Sequence, residues 1–271
     1  KSFVQSRLKR QRKFIGSKRS EEVVKKNPDE TRLNKYIANS GICSRREADN
    51  LISMGLVTVN GQVITEIGYK VKRGDEVRYE GKKLTAEKPV YILLNKPKGF
   101  ITTTDDPQER NTVMGLIAGA CKERVYPVGR LDRNTTGVLL FTNDGDLAKK
   151  LTHPSFEVEK IYQATLDNPL KPSDMESIEK GVHLEDGFIK PDVVSYTGAD
   201  KSVIGIEIHS GRNHIVRRIF EHLGYKVEKL DRVVFAGLTK KDLPRGRSRF
   251  LTQLEVANLK MVTGKKKFQN I

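Results

Sequence analysis

Apolar residues in this chain come in strand-length runs, and this limits what it can fold into. Residues 91–94 (YILL) and 138–141 (VLLF) are of this kind. A membrane-spanning helix needs about 20 such residues in succession, so none is expected. Short apolar runs closed by polar turns suit buried strands. Residues 161–166 and 203–208 alternate as half-buried strands do, whereas 174–180 and 213–223 have helical spacing and end at Gly181 and Gly224. The stretch Asn143-Asp144-Gly145 reads as a turn, with a short helix from Asp146 to near Pro154. Strands and helices mix without a regular βαβ repeat. That predicts an α+β fold with a mixed, mostly antiparallel sheet, and 271 residues leave room for about two domains.

A small module is legible ahead of those runs. Thr31 can cap a helix over 32–39 that Gly41 stops. Ser44-Arg45-Arg46-Glu47 is a capping-box sequence, and Gly55 is the natural stop for its helix, which is expected to run to Met54. Val57 and Val59 then alternate up to Asn60-Gly61, a strong short-range hairpin signal, with Val63 and Ile64 following. Residues 71–77 read as one further strand-like stretch. Arg32, Lys35, Arg45 and Arg46 gather at the two helix starts, where positive charge opposes the helix dipole, so helix stability does not explain them. Phosphate binding does. The stretch "TRLNKYIANSGICSRREADNLISMGLVTVNG" resembles the small RNA-binding domain named after ribosomal small-subunit protein four, over residues 31–83.

Charge points the same way. The net charge is +16. Residues 1–28 carry ten Lys/Arg against Glu21 and Glu22, and Lys260, Lys265, Lys266 and Lys267 add four more, so the body between holds only +4. The expected divisions are a basic, disordered arm at 1–28, an RNA-binding domain at 29–84, a linker at 85–89, a larger domain at 90–257 and a basic tail at 258–271. Basic arms neutralise phosphates without reading sequence. There is no apolar signal-peptide stretch at the basic N-terminal end. Cys43 and Cys121 lie in unrelated segments without metal-ligand spacing. A reduced, cytoplasmic protein is the expectation.

No Gly-rich phosphate loop, dinucleotide fingerprint or nucleophile elbow is present. His209 and His214 are five apart, a poor match to a helical metal pair. No metal and no cofactor are expected. What remains is Asp132, flanked by Arg130 and Arg133, with Arg212, Arg217 and Arg218 downstream. A neighbouring arginine keeps such a carboxylate ionised, and an ionised carboxylate can act on a sugar carbon. The acids Asp144, Glu159 and Asp231 stay open as partners. His214 and Cys121 are read as structural.

Four motifs in order complete the reading: "KPKG" at 96–99, "VGRLDRNTTGVLLFTNDGDL" at 128–147, "EKIYQATL" at 159–166 and "GRNHIVRRIFEHLGYKVEKLDRV" from Gly211. Together they resemble the RsuA-like family of rRNA-modifying pseudouridine synthases, over about residues 90–255. "GVHLEDG" at 181–187 and "LPRG" at 243–246 look most like the B-type members, which act on the large ribosomal subunit. The resemblance implies that Asp132 is the catalytic nucleophile or base, acting on a flipped uridine so that C5 replaces N1 at the ribose. It implies that Arg130 fills the gap left by the base, that Tyr162 stacks on the uracil, and that Arg217 pairs with Asp132. Lys96 and Pro97 match a motif that is largely structural. Ile215 stands where relatives often carry a polar residue such as Gln. The expected partner is ribosomal RNA of the large subunit, met by a monomer; a small-subunit target, or a non-catalytic RNA-binding assembly factor, are the alternatives.

Overall fold

The computed structural model describes residues 29–108 and 110–262. The basic arm expected at 1–28 and the last nine residues of the expected tail lie outside the described residues. The first body comprises β1 (Glu30–Arg32), α1 (Leu33–Asn39), α2 (Arg45–Ser53), β2 (Val57–Val59), β3 (Gln62–Val63), β4 (Lys70–Lys72), β5 (Val77–Tyr79) and β6 (Lys82–Lys83). Its core joins Leu33 and Ile37 of α1 to Ala48 and Ile52 of α2 and to Val57, Val59, Val71 and Val77 of the strands. The capping box forms as the sequence indicates: Glu47 N–H donates to Ser44 Oγ at 3.2 Å, and Ser44 N–H to Glu47 Oε2 at 2.6 Å. Asn60 and Gly61 both take positive φ, 51° and 82°, as a tight hairpin between β2 and β3 requires.

Two expectations for this body are corrected. Thr31 caps no helix, because residues 30–32 extend and pair with 70–72, and Leu33 N–H bonds Tyr69 O at 2.8 Å. Helix α1 starts one residue later, with Arg32 at its N-cap and no side-chain cap. Residues 71–77 form parts of two strands rather than one, split at Gly74, whose φ is +98°.

The second body follows the segment 85–89, which is tied down: Glu87 N–H donates to Asn39 O at 2.9 Å, and its carboxylate accepts from Arg124 N–H at 3.3 Å. Its elements are β7 (Tyr91–Lys96), α3 (Val113–Ile117), β8 (Tyr126–Pro127), β9 (Thr135–Thr142), α4 (Gly145–Thr152), β10 (Lys160–Leu166), α5 (Pro172–Lys180), β11 (Val182–Leu184), β12 (Gly187–Ile189), β13 (Val193–Tyr196), β14 (Val203–Ile208), α6 (Ile215–His222), β15 (Val227–Phe235), β16 (Leu238–Thr239), β17 (Ser248–Phe250) and α7 (Gln253–Val262). The main sheet runs β13-β14-β10-β15-β9-β7-β17, with β16 beside β15 and β8 beside β9. Every pairing in it is antiparallel except β15 with β9. The fold is thus α+β, as expected. Residues 258–262, expected to begin a basic tail, instead complete α7, because Leu259 is fully buried in the core. Helix α4 begins at Gly145, since Asp144 caps it by accepting from Leu147 N–H at 3.0 Å. No described helix is long and apolar enough to cross a membrane.

The central strands are buried on both faces, which is why they read as unbroken apolar runs. Val138 and Leu140 of β9 pack with Leu147 and Leu151 of α4, while Leu139 and Phe141 pack with Val113 and Ile117 of α3. Beyond β10 a third cluster packs Ile215, Ile219 and Phe220 of α6 against Ile204, Ile206 and Ile208 of β14.

The parallel pair β9–β15 depends on one glycine. Gly137 sits opposite Arg232 with φ +109°, and a Cβ there would lie 2.1 Å from Arg232 O. Both the dihedral and the close approach demand glycine. Gly137→Ala is expected to cost at least about 2 kcal/mol in urea unfolding; a loss under about 0.5 kcal/mol would contradict this account.

Candidate active site

Between β8 and β9 the chain makes the loop that carries Asp132, and the loop is clamped from both sides. Lys96, the last residue of β7, is completely buried. Its ammonium donates to Pro97 O (3.1 Å), Asp132 O (3.0 Å), Arg133 O (3.3 Å) and Thr135 O (2.8 Å). On the other flank Thr102 Oγ1 donates to Leu131 O at 2.7 Å and accepts from Leu131 N–H at 3.2 Å. Gly99 N–H adds a bond to Arg133 O at 2.8 Å. Leu131, in the core, and Asp132, partly open, therefore face opposite ways from a fixed backbone.

Asp132 opens onto a cavity of about 500 Å³ whose lining includes Arg130, Tyr162, Lys160, His214 and Arg232. Asp132 is the only acid among the described lining residues. Its carboxylate is 36% exposed and lies 3.2 Å from His214 Nε2, while Thr135 Oγ1 approaches at 3.4 Å. Three sequence-predicted residues, Asp132, Arg130 and Tyr162, are brought to this one cavity.

Arg217 is not among them. Its guanidinium donates to Val227 O at 2.7 Å, tying α6 to the start of β15, and it does not line the cavity. The expected Arg217–Asp132 pair is not formed in this structure, where Arg217 is tied to Val227 instead. Helix α6 starts at Ile215, whose side chain and that of Val216 are drawn into the core, and this turns Arg217 toward β15. The group beside Asp132 is His214, expected from the sequence to be structural; it sits at the helix N-cap with φ +48°. Ile215, where the resemblance leads one to expect a polar residue, is buried.

The cavity floor holds two cations that sequence reading missed. Lys160 donates to Val158 O at 2.9 Å and His209 O at 3.0 Å. Burial, reinforced by the charge of Arg232, pushes its pKa down to about 8. Arg232 is 3% exposed, donates through Nε to Val138 O at 2.9 Å, and stacks over Phe235 at 4.5 Å. The only sequence signal for Arg232 is its inward position in an alternating strand. For Lys96 it is a charge continuing a buried run. The next residue along β15, Asp231, takes bonds from Thr136 Oγ1 (2.8 Å) and Arg245 (3.1 Å) and pairs with Lys240, fastening the ends of β9 and β15.

On the first body Arg32, Arg45 and Arg46 are exposed, and Arg45 reaches Asn34 Oδ1 at 3.4 Å. Lys35, expected with them, is instead committed to Asp146 of α4 at 2.7 Å, an ion pair between the two bodies. No metal was expected; among the described residues Asp192, Glu207 and His209 lie close enough to share an ion, with His209 Nδ1 2.6 Å from Asp192. None of the three lines the cavity of Asp132. Cys43 and Cys121 are unbridged, and burial raises both thiols.

Comparison with known proteins bears on this geometry. The model of the RNA pseudouridylate synthase family matches residues 90–222, and that of the S4 domain matches 31–77. The ribosomal large subunit pseudouridine synthase B of Bacillus subtilis is 42% identical over 233 residues, covering 84% of this chain and 95% of its own. The dual-specificity RNA pseudouridine synthase RluF of Escherichia coli is 39% identical over 236 residues, covering 86% and 79%. A crystal structure of a pseudouridylate synthase superposes with a TM-score of 0.60 at 30% identity, covering 84% of this chain and 99% of that one.

The clamp has a pH dependence. Burial holds Lys96 down to about 8, with Arg245 adding to the shift and Asp132 opposing it. Between about pH 8 and its ordinary 10.5, the unfolded chain keeps a proton that the folded one releases. This lysine therefore makes stability rise, not fall, across that window. Turnover, which needs the charged clamp, is expected to decline above about pH 8 while the melting temperature holds. Turnover flat to pH 9.5, or lost only together with the fold, would rule this out; Lys96→Met should show no such alkaline limb.

Proposed function

The chain belongs to the RNA pseudouridylate synthase family, and on that premise we propose that it converts a uridine of large-subunit ribosomal RNA to pseudouridine, with Asp132 as the reacting carboxylate. One observation carries the site assignment: among the described residues Asp132 is the sole acid facing the cavity, on a loop whose carbonyls are held by a buried ammonium. The name of the Bacillus subtilis relative supports the large-subunit substrate.

A uridine stacked in a helix hides its glycosidic bond, so the nucleotide must swing out at a cost of a few kcal/mol. Tyr162, half-buried on the cavity wall, offers a ring on which the uracil can stack, worth about 1–3 kcal/mol. Arg130, exposed on the same loop, is placed to occupy the vacated space. Asp132 then acts on the ribose as nucleophile or base. The N1–C1′ bond breaks, C5 of the turned uracil bonds to C1′, the C5 proton is released and N1 takes up a proton. Atoms and electrons balance without an external reductant. His214 Nε2, 3.2 Å from Asp132, helps to fix the direction in which the carboxylate points. The first body docks the RNA through Arg32, Arg45 and Arg46. The enzyme works as a monomer without a cofactor, in the cytoplasm, during ribosome biogenesis.

Two experiments test this. Wild type should release C5 tritium from uridine in large-subunit rRNA, and Asp132→Asn should bind that RNA with release reduced by at least about 10⁴-fold. Equal release by both proteins would remove Asp132 from the chemistry; release only from small-subunit rRNA would overturn the substrate. Separately, Arg45→Glu with Arg46→Glu should weaken RNA binding and lower its log–log salt slope by about 1–2. An unchanged slope would sink the docking face.

A further inference from the structure

Arg232 is the one buried side-chain group among the described residues that keeps a polar atom without any partner. Its Nε is spent on Val138 O, and its plane lies on the Phe235 ring, but Nη2 is buried and bonds nothing. A guanidinium left this way costs free energy unless something arrives to accept from it. The residue is also held in place: Gly137 opposite it lets the two backbones touch, and Asp231 before it is anchored by Thr136 and Arg245.

What arrives can be narrowed. Arg232 lines the same cavity as Asp132 and is the direct cross-strand neighbour of Tyr162, so the two side chains leave one face of the sheet together. At 3% exposure it lies too deep for a backbone phosphate, which keeps its solvent and its chain. Asp132 is engaged by His214. A flat base lying along Tyr162 presents an edge, and uracil's edge carries two carbonyl oxygens that accept. Those oxygens also take up negative charge as the N1–C1′ bond breaks, which suits a cation lacking a counter-ion.

We infer that Arg232 reads the flipped base, donating from Nη2 to a carbonyl oxygen of the uracil. This rests on the pseudouridine synthase reading above and names the residue that recognises its base. If the oxygen is O4, the same donor rejects cytosine, which presents an amino group there.

The test pairs enzyme and substrate atoms. Large-subunit rRNA is transcribed with uridine, 2-thiouridine or 4-thiouridine, each tritiated at C5. Single-turnover release is then followed for wild type, Arg232→Gln and Arg232→Lys, each first confirmed folded by its thermal melt. Sulfur accepts hydrogen bonds poorly. Wild type should therefore be slower by about 10- to 100-fold on one thio RNA, whereas Arg232→Gln, slower overall, should treat that RNA and the uridine RNA within about 2-fold of each other. Filter-binding ratios on the same RNAs serve for any variant too slow to assay. A variant that keeps the wild-type thio penalty, or a wild type with no penalty on either RNA, would make Arg232 a structural prop and overturn the inference. Wild type inert on uridine rRNA would instead overturn the functional reading, and this inference with it.

Discussion

A single buried ammonium organises this molecule's chemistry. Lys96 sits where β7 ends, in a place with no solvent, and holds carbonyls from both its own turn and the Asp132 loop. Desolvating an ammonium is costly, and four oxygens offset that cost only if the loop adopts one shape. The lysine and the loop therefore specify each other. Thr102 and Gly99 extend the constraint to the far side, so Asp132 reaches the cavity from a backbone with little freedom to relax, which is the preorganisation that transition-state stabilisation demands.

The surrounding fold serves that loop by being buried on both faces. Strands β7 and β9 feed alternate side chains to two different cores, so neither can slip by one residue without exchanging its two sets of contacts. Asp132 thus hangs from strands held on both faces. The floor, Lys160 on β10 and Arg232 on β15, with Tyr162 beside it, is fastened through the Asp231 network. Cations and carboxylate line one cavity, held by separate sets of bonds.

Local chemistry was legible in the sequence and long-range orientation was not. Ser44 with Glu47, and Asn60 with Gly61, carry their whole structural meaning within four residues, and the structure repeats it. Asp132, Arg130 and Tyr162 were recognisable from motif order and do meet at one cavity. Thr31 misled because strand pairing with residues 70–72 outweighed a local capping preference. Arg217 could not be oriented from the sequence, because the phase of an amphipathic helix, set by Ile215 and Val216 entering the core, decides which way a cation points. Lys35 misled because its partner, Asp146, lies 111 residues away. Arg232 was invisible for the same reason: the meaning of its position comes from Gly137, far upstream in the chain.

That last separation has a consequence for synthesis. Thr136 and Asp231 are 95 residues apart in sequence yet bonded, and the only parallel pairing of the main sheet lies between their strands. Closing so long a loop is slow compared with forming hairpins. A nascent chain exposing the Asp132 loop has half a pocket and no floor; the second half arrives only once β15 has emerged and slotted beside β9. Until β15 pairs with β9, the cavity lacks Leu230, Arg232 and Phe235, so its lining is complete only when this long-range contact has closed.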